Sequence, residues 1–329
     1  MEYDFVYRCD ANPQTGMGHL SRALLLCDML FSSDPSKKIA ICGNYSEMAR
    51  DYIFSFGNNG IDILDRDFFI NSGTSAKVIL IDNMYLPEHP SFVPKEETIE
   101  MRKIARKLIF YNGVLDAPDL IELYDLFINY LPVNLEIPVN YLSSFNYLPL
   151  DIRKINMESS DSIDIKGILA VIGSDVVNEG PARLLECSRI DNTKNRISGL
   201  VLSPQFPKEK KEMLERDFPE VLFFQNVPSL LALMARYQSV ITTYGNSTFE
   251  ALLLKRNVYT INYKSFQNDY SEYMARKGYL TNIGRFELLS NQTFFDKISE
   301  GEKIKRTEIG VIGGITSVIS IIKKYQNEN

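Results

Sequence analysis

Short apolar runs alternate with longer amphipathic segments along the first half of the chain. Runs rich in Val, Ile and Leu predict strands buried on both faces, and apolar residues recurring every three or four positions predict helices. The predicted strands are Asp4–Tyr7, Ile39–Cys42, Ile61–Leu64, Lys77–Ile81, Lys107–Tyr111 and Leu126–Asn129. The predicted helices are Leu20–Phe31, Ser46–Phe56 and Glu96–Lys107. Such alternation is typical of a doubly wound parallel sheet.

The same alternation begins again after a segment of different character. Residues 130–165 contain three prolines and an acidic, Ser-rich stretch, as expected where the chain crosses between domains. Further strands are predicted at Gly167–Ile172, Ile197–Leu202, Val221–Phe224, Ser239–Thr243 and Val258–Ile261, and helices at Pro181–Ser188, Lys208–Phe218, Pro228–Tyr237 and Gly314–Tyr325.

We therefore predict an α/β fold of two Rossmann-like, doubly wound domains that face a cleft. The N-terminal domain is expected over residues 1–148, a linker over 149–165 and the C-terminal domain over 166–329. The last helix could pack on either domain.

Composition narrows the class of protein. The 329 residues carry a net charge of −6, which argues against a nucleic-acid partner. Four cysteines without a C-x-x-C spacing argue against a zinc site or a disulfide framework. No secretory signal or membrane-spanning run is visible, so a cytoplasmic location is expected. No D-x-D motif lies in a convincing loop and two histidines make a poor metal site, so neither a metal nor a cofactor is expected. The oligomeric state stays open.

The first predicted strand leads into a compact polar pattern, YRCDANPQTGMGHLSR. A strand, a Gly-rich turn and a helix start place backbone N–H groups where they attract anions. The helix begins near His19, which is one of only two histidines. The same glycines would also suit a plain tight turn. The pattern reads R-x-D-x5-G-x-G-H-x-x-R and consists of Arg8, Asp10, Gly16, Gly18, His19 and Arg22.

A second strand, turn and helix start occurs in the sequence TYGNSTFE. Asn246, Ser247 and Thr248 are residue types that begin helices, and their N–H groups could hold a diphosphate. Glu250 could accept hydrogen bonds from ribose hydroxyls. A capped helix with a carboxylate near its positive end is the alternative interpretation.

The first pattern resembles the N-terminal signature of the nucleotide-sugar hydrolases of pseudaminic-acid biosynthesis and the related spore-coat polysaccharide proteins. This PseG/SpsG-like group belongs to the GT-B glycosyltransferase superfamily, so the resemblance implies a GT-B-like fold. In that family the histidine matching His19 is regarded as the catalytic base. The second pattern is similar to a G-x-[ST]-x-x-E element of GT-B enzymes that holds the nucleotide, matched here by Gly245, Ser247 and Glu250.

The resemblance extends along most of the chain, with departures. Residues 173–178 resemble the opening of the family's C-terminal domain, and residues 141–153 resemble its linker. Where the family has D-H-Y, this chain has D-N-M-Y over residues 82–85, so Tyr85 stands one position later than the family's tyrosine. Its D-D pair is replaced by Asn112 and Gly113, and its late N-Q pair by Gln267 and Asn268. Nucleotide binding thus looks retained, whereas the sugar pocket looks changed.

Together these features predict inverting substitution at the anomeric carbon of a nucleotide-activated sugar. The expected catalytic residues are His19 as the base, Asp10 as its orienting group or a ligand of substrate hydroxyls, and Arg8. The expected nucleotide-binding residues are Gly173, Ser174, Gly245, Asn246, Ser247, Thr248 and Glu250. The expected sugar-binding residues are Gly16, Gly18, Arg22, Tyr85, Gln267 and Asn268.

The attacking group decides the reaction. Water would make the protein a hydrolase, with a UDP-linked amino or deoxy sugar as the substrate that the resemblance implies. A hydroxyl of a glycan or lipid carrier would make it a metal-independent glycosyltransferase. A non-catalytic nucleotide-sugar-binding protein is the third alternative.

Overall fold

The computed structural model describes residues 1–12, 15–57, 60–82, 94–117, 121–158, 165–172, 179–190, 194–203, 206–304 and 306–327. The chain forms two compact units. The first comprises Met1–Ile152 and Gly310–Asn329, and the second comprises Arg153–Ile309.

The first unit is built on an all-parallel, seven-stranded sheet. Its strands are β1 (Glu2–Arg8), β2 (Ile39–Gly43), β3 (Ile61–Asp65), β4 (Ser75–Ile81), β5 (Ala105–Asn112), β6 (Leu126–Asn129) and β7 (Asn140–Ser143). Its helices are α1 (Gly18–Ser33), α2 (Glu47–Ser55), α3 (Arg66–Asn71), α4 (Lys95–Ile104) and, near the end of the chain, α12 (Ile315–Asn327). The strand order is β3-β2-β1-β4-β5-β6-β7.

Interior strands of this sheet are almost wholly buried because helices cover both faces. The last four residues of β1 and of β4 are all buried. The sequence pattern extended α4 to Lys107, but the helix ends at Ile104. Ala105 is already extended and pairs with Ala76 of β4, since the apolar residues that follow it belong in the sheet.

The last helix, α12, packs on the first unit. The N–H of Ile315 donates to the carbonyl of Leu150 at 3.1 Å, and the side chain of Gln326 donates to the carbonyl of Asp4 at 3.1 Å. The chain therefore returns to its first unit after completing the second.

The second unit contains an all-parallel, six-stranded sheet and a two-stranded hairpin. Its strands are β8 (Ile165–Val171), β9 (Arg189–Ile190), β10 (Lys194–Asn195), β11 (Ile197–Val201), β12 (Leu222–Phe224), β13 (Tyr237–Thr242), β14 (Asn257–Asn262) and β15 (Thr281–Arg285). Its helices are α5 (Ile152–Glu158), α6 (Gly180–Cys187), α7 (Lys208–Asp217), α8 (Leu230–Ala235), α9 (Asn246–Leu253), α10 (Ser265–Arg276) and α11 (Asn291–Lys303). The order of the large sheet is β12-β11-β8-β13-β14-β15.

Parallel strands bring their carboxyl ends to one edge of each sheet. In the first unit, β1 ends at Arg8 and its neighbour β4 ends at Ile81. In the second unit, β13 ends at Thr242, immediately before the TYGNSTFE turn. This edge is where sites are built in open α/β sheets. None of the described helices has the length and apolar character needed to cross a bilayer.

Candidate functional site

The start of α1 leaves backbone donors uncovered. Gly16 has a φ of +74°, a conformation that favours glycine, and its N–H donates to the carbonyl of Asn12 at 2.8 Å. Met17 provides no side-chain cap for the helix. The N–H groups of Gly18 and His19 donate to no described residue. A Cβ on either glycine would meet no atom within 4 Å, so open space lies over these donors.

His19 lies against a buried ion pair between Arg22 and Asp82. Arg22 donates from Nε and Nη2 to the two carboxylate oxygens of Asp82, at 2.8 and 2.7 Å. The Nδ1 atom of His19 is 3.1 Å from Oδ1 of Asp82. The hydroxyl of Tyr7 donates to the other carboxylate oxygen at 2.6 Å. Asp82 is thus surrounded by donors at the carboxyl end of β4.

The surroundings of Asp82 keep it ionised. Complete burial by itself raises the pKa of this carboxyl, but the charges of Arg22 and His19 and their hydrogen bonds outweigh burial and lower the pKa to about 2. At neutral pH the group is therefore a buried carboxylate that faces an imidazole.

The Nδ1 atom of His19 has two close neighbours. It lies 2.7 Å from Nη2 of Arg22 as well as 3.1 Å from Asp82. A bare Nδ1 accepts from Arg22, whereas a protonated Nδ1 donates to Asp82. The second arrangement requires Nη2 of Arg22 to move away from Nδ1, because both atoms then carry hydrogens. It leaves Nε2, which bonds to no described residue, as the proton acceptor.

Arg8 and Asp10 form a separate buried network. Arg8 donates to both carboxylate oxygens of Asp10, at 2.7 and 3.1 Å, and from Nε to Glu97 at 2.6 Å. The N–H of Asn44 donates to Asp10 at 2.7 Å. Asp10 and His19 share no hydrogen bond among the described contacts, and the carboxylate beside Nδ1 is that of Asp82. A role of Asp10 at the imidazole or at substrate hydroxyls stays a prediction. Glu97 was not among the predicted residues, because it lies on a charged helix that the pattern assigns to the surface.

The replacement of the family's D-D pair has a structural explanation. Asn112 is buried, and its Oδ1 accepts from the N–H of Gly113 at 2.7 Å and from the hydroxyl of Tyr130 at 3.1 Å. A Cβ on Gly113 would lie 2.2 Å from the Tyr130 ring. Both residues therefore place Tyr130, whose ring centre is 5.9 Å from the Arg22 guanidinium carbon.

In the second unit, Thr248 organises the turn before α9. Its Oγ1 accepts from the N–H of Gly245 at 3.2 Å and lies 2.9 Å from Oγ1 of Thr242. Its own N–H donates to the carbonyl of Gly245 at 3.0 Å. Thr248 is fully buried and holds the turn. That its N–H contributes to a diphosphate site stays a prediction.

The remaining donors of this turn point to open space. The N–H groups of Asn246 and Ser247 bond to no described residue, and neither do their side chains. A Cβ on Gly245 would meet no atom nearer than the carbonyl of Thr243 at 4.0 Å. Uncovered N–H groups at the start of an eight-residue helix form a cradle that suits phosphate.

Glu250 lies one turn further along α9. Its side chain is half-buried and makes no hydrogen bond or ion pair within the described chain. Burial raises the pKa of this carboxyl to about 7. A half-buried carboxylate without a donor is costly, and hydroxyl groups of a ligand would satisfy it.

Gln267 and Asn268 lie beside the same turn, at the start of α10. Gln267 accepts from the N–H of Lys264 at 3.3 Å, and its Nε2 is 3.5 Å from the carbonyl of Tyr244. Asn268 accepts from Asn282 at 2.9 Å. The predicted sugar-binding pair therefore has contacts within the protein that hold the turn.

Two buried asparagines behind this turn were missed by the sequence analysis. Asn262 ends β14 and accepts from the N–H of Tyr244 at 3.0 Å, and it donates to Asn282 of β15 at 3.3 Å. The available signal for Asn262 was its position, since a polar residue that ends an apolar strand lies at the functional edge. Asn282 is the second residue of β15 and gave no such signal. Tyr85, Gly173 and Ser174 lie outside the described residues. The described residues contain no group of three or more His, Cys, Asp or Glu that could hold a metal.

Comparison with known proteins establishes the fold. No family model matches the chain. An uncharacterised protein of Methanocaldococcus jannaschii, MJ1062, is 22% identical over 291 residues, which cover 81% of this chain and 57% of that protein. The chain thus spans little more than half the length of this curated relative.

Solved structures give matches over nearly the whole chain. MurG of Acinetobacter baumannii superimposes with a TM-score of 0.65 at 8% identity, covering 98% of this chain and 99% of that one. The glycotransferase of kitacinnamycin gives 0.62 at 12% identity, covering 98% and 99%. The UDP-GlcNAc 2-epimerase of Methanocaldococcus jannaschii gives 0.55 at 11% identity, covering 100% of both. These likenesses confirm the predicted fold class, two doubly wound α/β domains of the GT-B type.

Proposed function

We propose that this protein is an enzyme that hydrolyses a nucleotide-activated sugar with inversion and releases the nucleotide diphosphate. The observation that carries the proposal is the buried arrangement of His19, Asp82 and Arg22 beside the uncovered start of α1. A buried, ionised carboxylate at one ring nitrogen, with no described residue bonded to the other, is the environment of a general base. The PseG/SpsG-like signature supports the choice of substrate.

The first unit supplies the base. With Nδ1 donating to Asp82, Nε2 of His19 takes a proton from the attacking water while the water oxygen forms its bond to the anomeric carbon. Asp82 stabilises the imidazolium that results, because Arg22 keeps this carboxylate ionised and oriented. Tyr7 adds a further donor, so the carboxylate does not turn away from the ring.

The second unit supplies the diphosphate site. The N–H groups of Asn246 and Ser247 are assigned to the departing diphosphate, where they offset the charge that develops as its bond to the sugar breaks. Glu250 is assigned to the ribose hydroxyls. The absence of a side chain at Gly245 lets the phosphates approach the backbone.

Transfer to a glycan or lipid hydroxyl is the second candidate. It is favoured by the departure at Asn112, which the structure uses to hold Tyr130 instead of presenting a carboxylate. It is also favoured by Gln267 and Asn268, whose side chains support a turn. The glycotransferase of kitacinnamycin matches this fold, and that likeness is consistent with either candidate.

Turnover assays with candidate UDP-, CMP-, GDP- and dTDP-sugars, each with and without an acceptor, test the proposal. Hydrolysis predicts that the free sugar and the nucleotide, a nucleoside diphosphate or, from a CMP-sugar, CMP, are released at the full rate without an acceptor. Release that depends on an acceptor would replace the proposal by transfer. Tight nucleotide binding with no turnover of any substrate would favour a non-catalytic binding protein.

Glu250→Gln is expected to stabilise the unliganded protein while weakening nucleotide binding. Because burial raises the pKa of Glu250 from 4.5 to about 7, ionising it costs folding free energy as the pH rises through this interval. Above pH 7 the variant avoids that cost, so its free energy of unfolding should exceed the wild-type value by up to about 3 kcal/mol. At pH 4 the two should agree.

Denaturant titrations at pH 4 and pH 8, with UDP binding measured on the same samples, check this prediction. UDP affinities of the variant and the wild type are compared at the same pH, so protonation of UDP affects both values equally. The measured quantity is the difference in free energy of unfolding between Glu250→Gln and wild type. If this difference is no larger at pH 8 than at pH 4, the assigned environment of Glu250 is wrong.

A further inference from the structure

A groove of about 340 Å³ lies in the second unit, between the β9–β10 hairpin and α11. Small-molecule pockets begin near this volume, and they combine apolar walls with a few polar groups. The groove has that composition, since its lining residues are Arg189, Ile190, Arg196, Phe295 and Ser299.

Arg189 is held rigidly at the groove. Its guanidinium carbon lies 4.2 Å from the centre of the Phe218 ring, and its Nη2 donates to the carbonyl of Asp217. Its Nε is buried and has no acceptor among the described residues. That atom is covered by protein, so an anion in the groove would reach the guanidinium only through its Nη groups. Because the side chain is already fixed, little ordering is needed when an anion binds.

Arg196 is available to the same ligand. Its Nη2 is 3.5 Å from Glu302, in a pair whose side chains are 30% and 51% exposed. Exposed pairs of this kind contribute little, so an anion can compete with Glu302 for the guanidinium. The hydroxyl of Ser299 makes no hydrogen bond within the described chain, and Phe295 offers an aromatic surface for a ring.

The groove is distant from the turn assigned to the nucleotide. Arg196 immediately precedes β11 and therefore lies at the amino edge of the parallel sheet. Gly245 follows β13, at the carboxyl edge. A five-residue strand separates these edges by roughly 15 Å.

We propose that this groove is a second, separate site that binds a small organic anion, with its phosphate or carboxylate group between Arg189 and Arg196 and its ring against Phe295. Guanidinium groups suit both kinds of anion because their planar donors match the oxygens in pairs. The proposal is independent of the reaction proposed above.

Calorimetric titration of the full chain with glucose 6-phosphate, glucuronate and glucose tests the site and identifies the anion. Saturable binding of either anion, with none of glucose, supports it, and the tighter of the two identifies the group. Arg196→Gln should weaken that binding at least about tenfold. Glu302→Gln, which removes the competing carboxylate, should tighten it about threefold.

Arg276→Gln provides the matched control, since Arg276 is exposed on α10 and the change in net charge is the same. The proposal is overturned if neither anion saturates, or if Arg276→Gln weakens binding as much as Arg196→Gln does. Binding that survives Arg196→Gln but is lost in Gly245→Ala would place the anion at the other turn and also overturn it.

Discussion

Replacement of His19 by asparagine should reduce turnover of the nucleotide sugar by about 10²–10⁴-fold, the usual contribution of a general base. Asparagine retains a polar donor near the position of Nδ1, so the contact with Asp82 and the fold should persist. The atom that takes the proton is lost. Initial rates, thermal unfolding and UDP titration of the same preparation would separate these effects.

The same substitution at His89, the only other histidine, is the matched control. It should leave turnover within about twofold of wild type, because the proposal gives His89 no role in proton transfer. If His19→Asn retained a comparable rate, the imidazole would have no place in the mechanism.

Asp82→Asn should cost about 3–5 kcal/mol of the free energy of unfolding at pH 7, because it leaves the buried charge of Arg22 without its carboxylate. The native pKa of Asp82, about 2, lies below the ordinary value. Its stabilisation is therefore fully present above pH 4 and disappears as the pH falls towards 2. The difference between wild type and variant should narrow over that interval. Denaturant unfolding between pH 2 and pH 7 measures it.

Asp67→Asn is the control for this substitution. Asp67 pairs with Arg66 at 2.8 Å, but its side chain is 69% exposed, so its removal should cost less than about 1 kcal/mol. Equal losses for the two variants would show that the Arg22–Asp82 pair does not contribute as a buried ion pair. A double variant with Arg22→Met should recover part of the loss, since it removes the uncompensated charge.

Local pattern was sufficient to predict the turn that carries His19. Gly16, Gly18 and Arg22 belong to one turn and the start of the helix that follows it. Their spacing in the sequence is therefore enough to place them close together. The analogous turn at Gly245 was predictable for the same reason. The apolar runs of β1 and β4 also identified the buried strands, because parallel strands covered on both faces lack polar positions.

Partners that are distant in sequence were not predictable. Asp82 contacts His19 only because β1 and β4 are neighbours in the sheet. The sequences of the two strands do not specify this strand order. Glu97 was not singled out, because its place on a charged helix gives no sign that Arg8 will pair with it. Helix α10 and strand β15 were missed because buried polar residues, such as Ser271 and Asn282, interrupt their apolar pattern.

The return of α12 to the first unit makes that unit discontinuous in the chain, with the whole second unit inserted before its last helix. During synthesis, the whole segment Arg153–Ile309 is translated before α12, the final element of the first unit. Most of the inserted unit therefore leaves the ribosome, and can begin to fold, while the first unit still lacks that helix. The surface that α12 will cover, including the carbonyl of Leu150, stays exposed until the helix has emerged and packed.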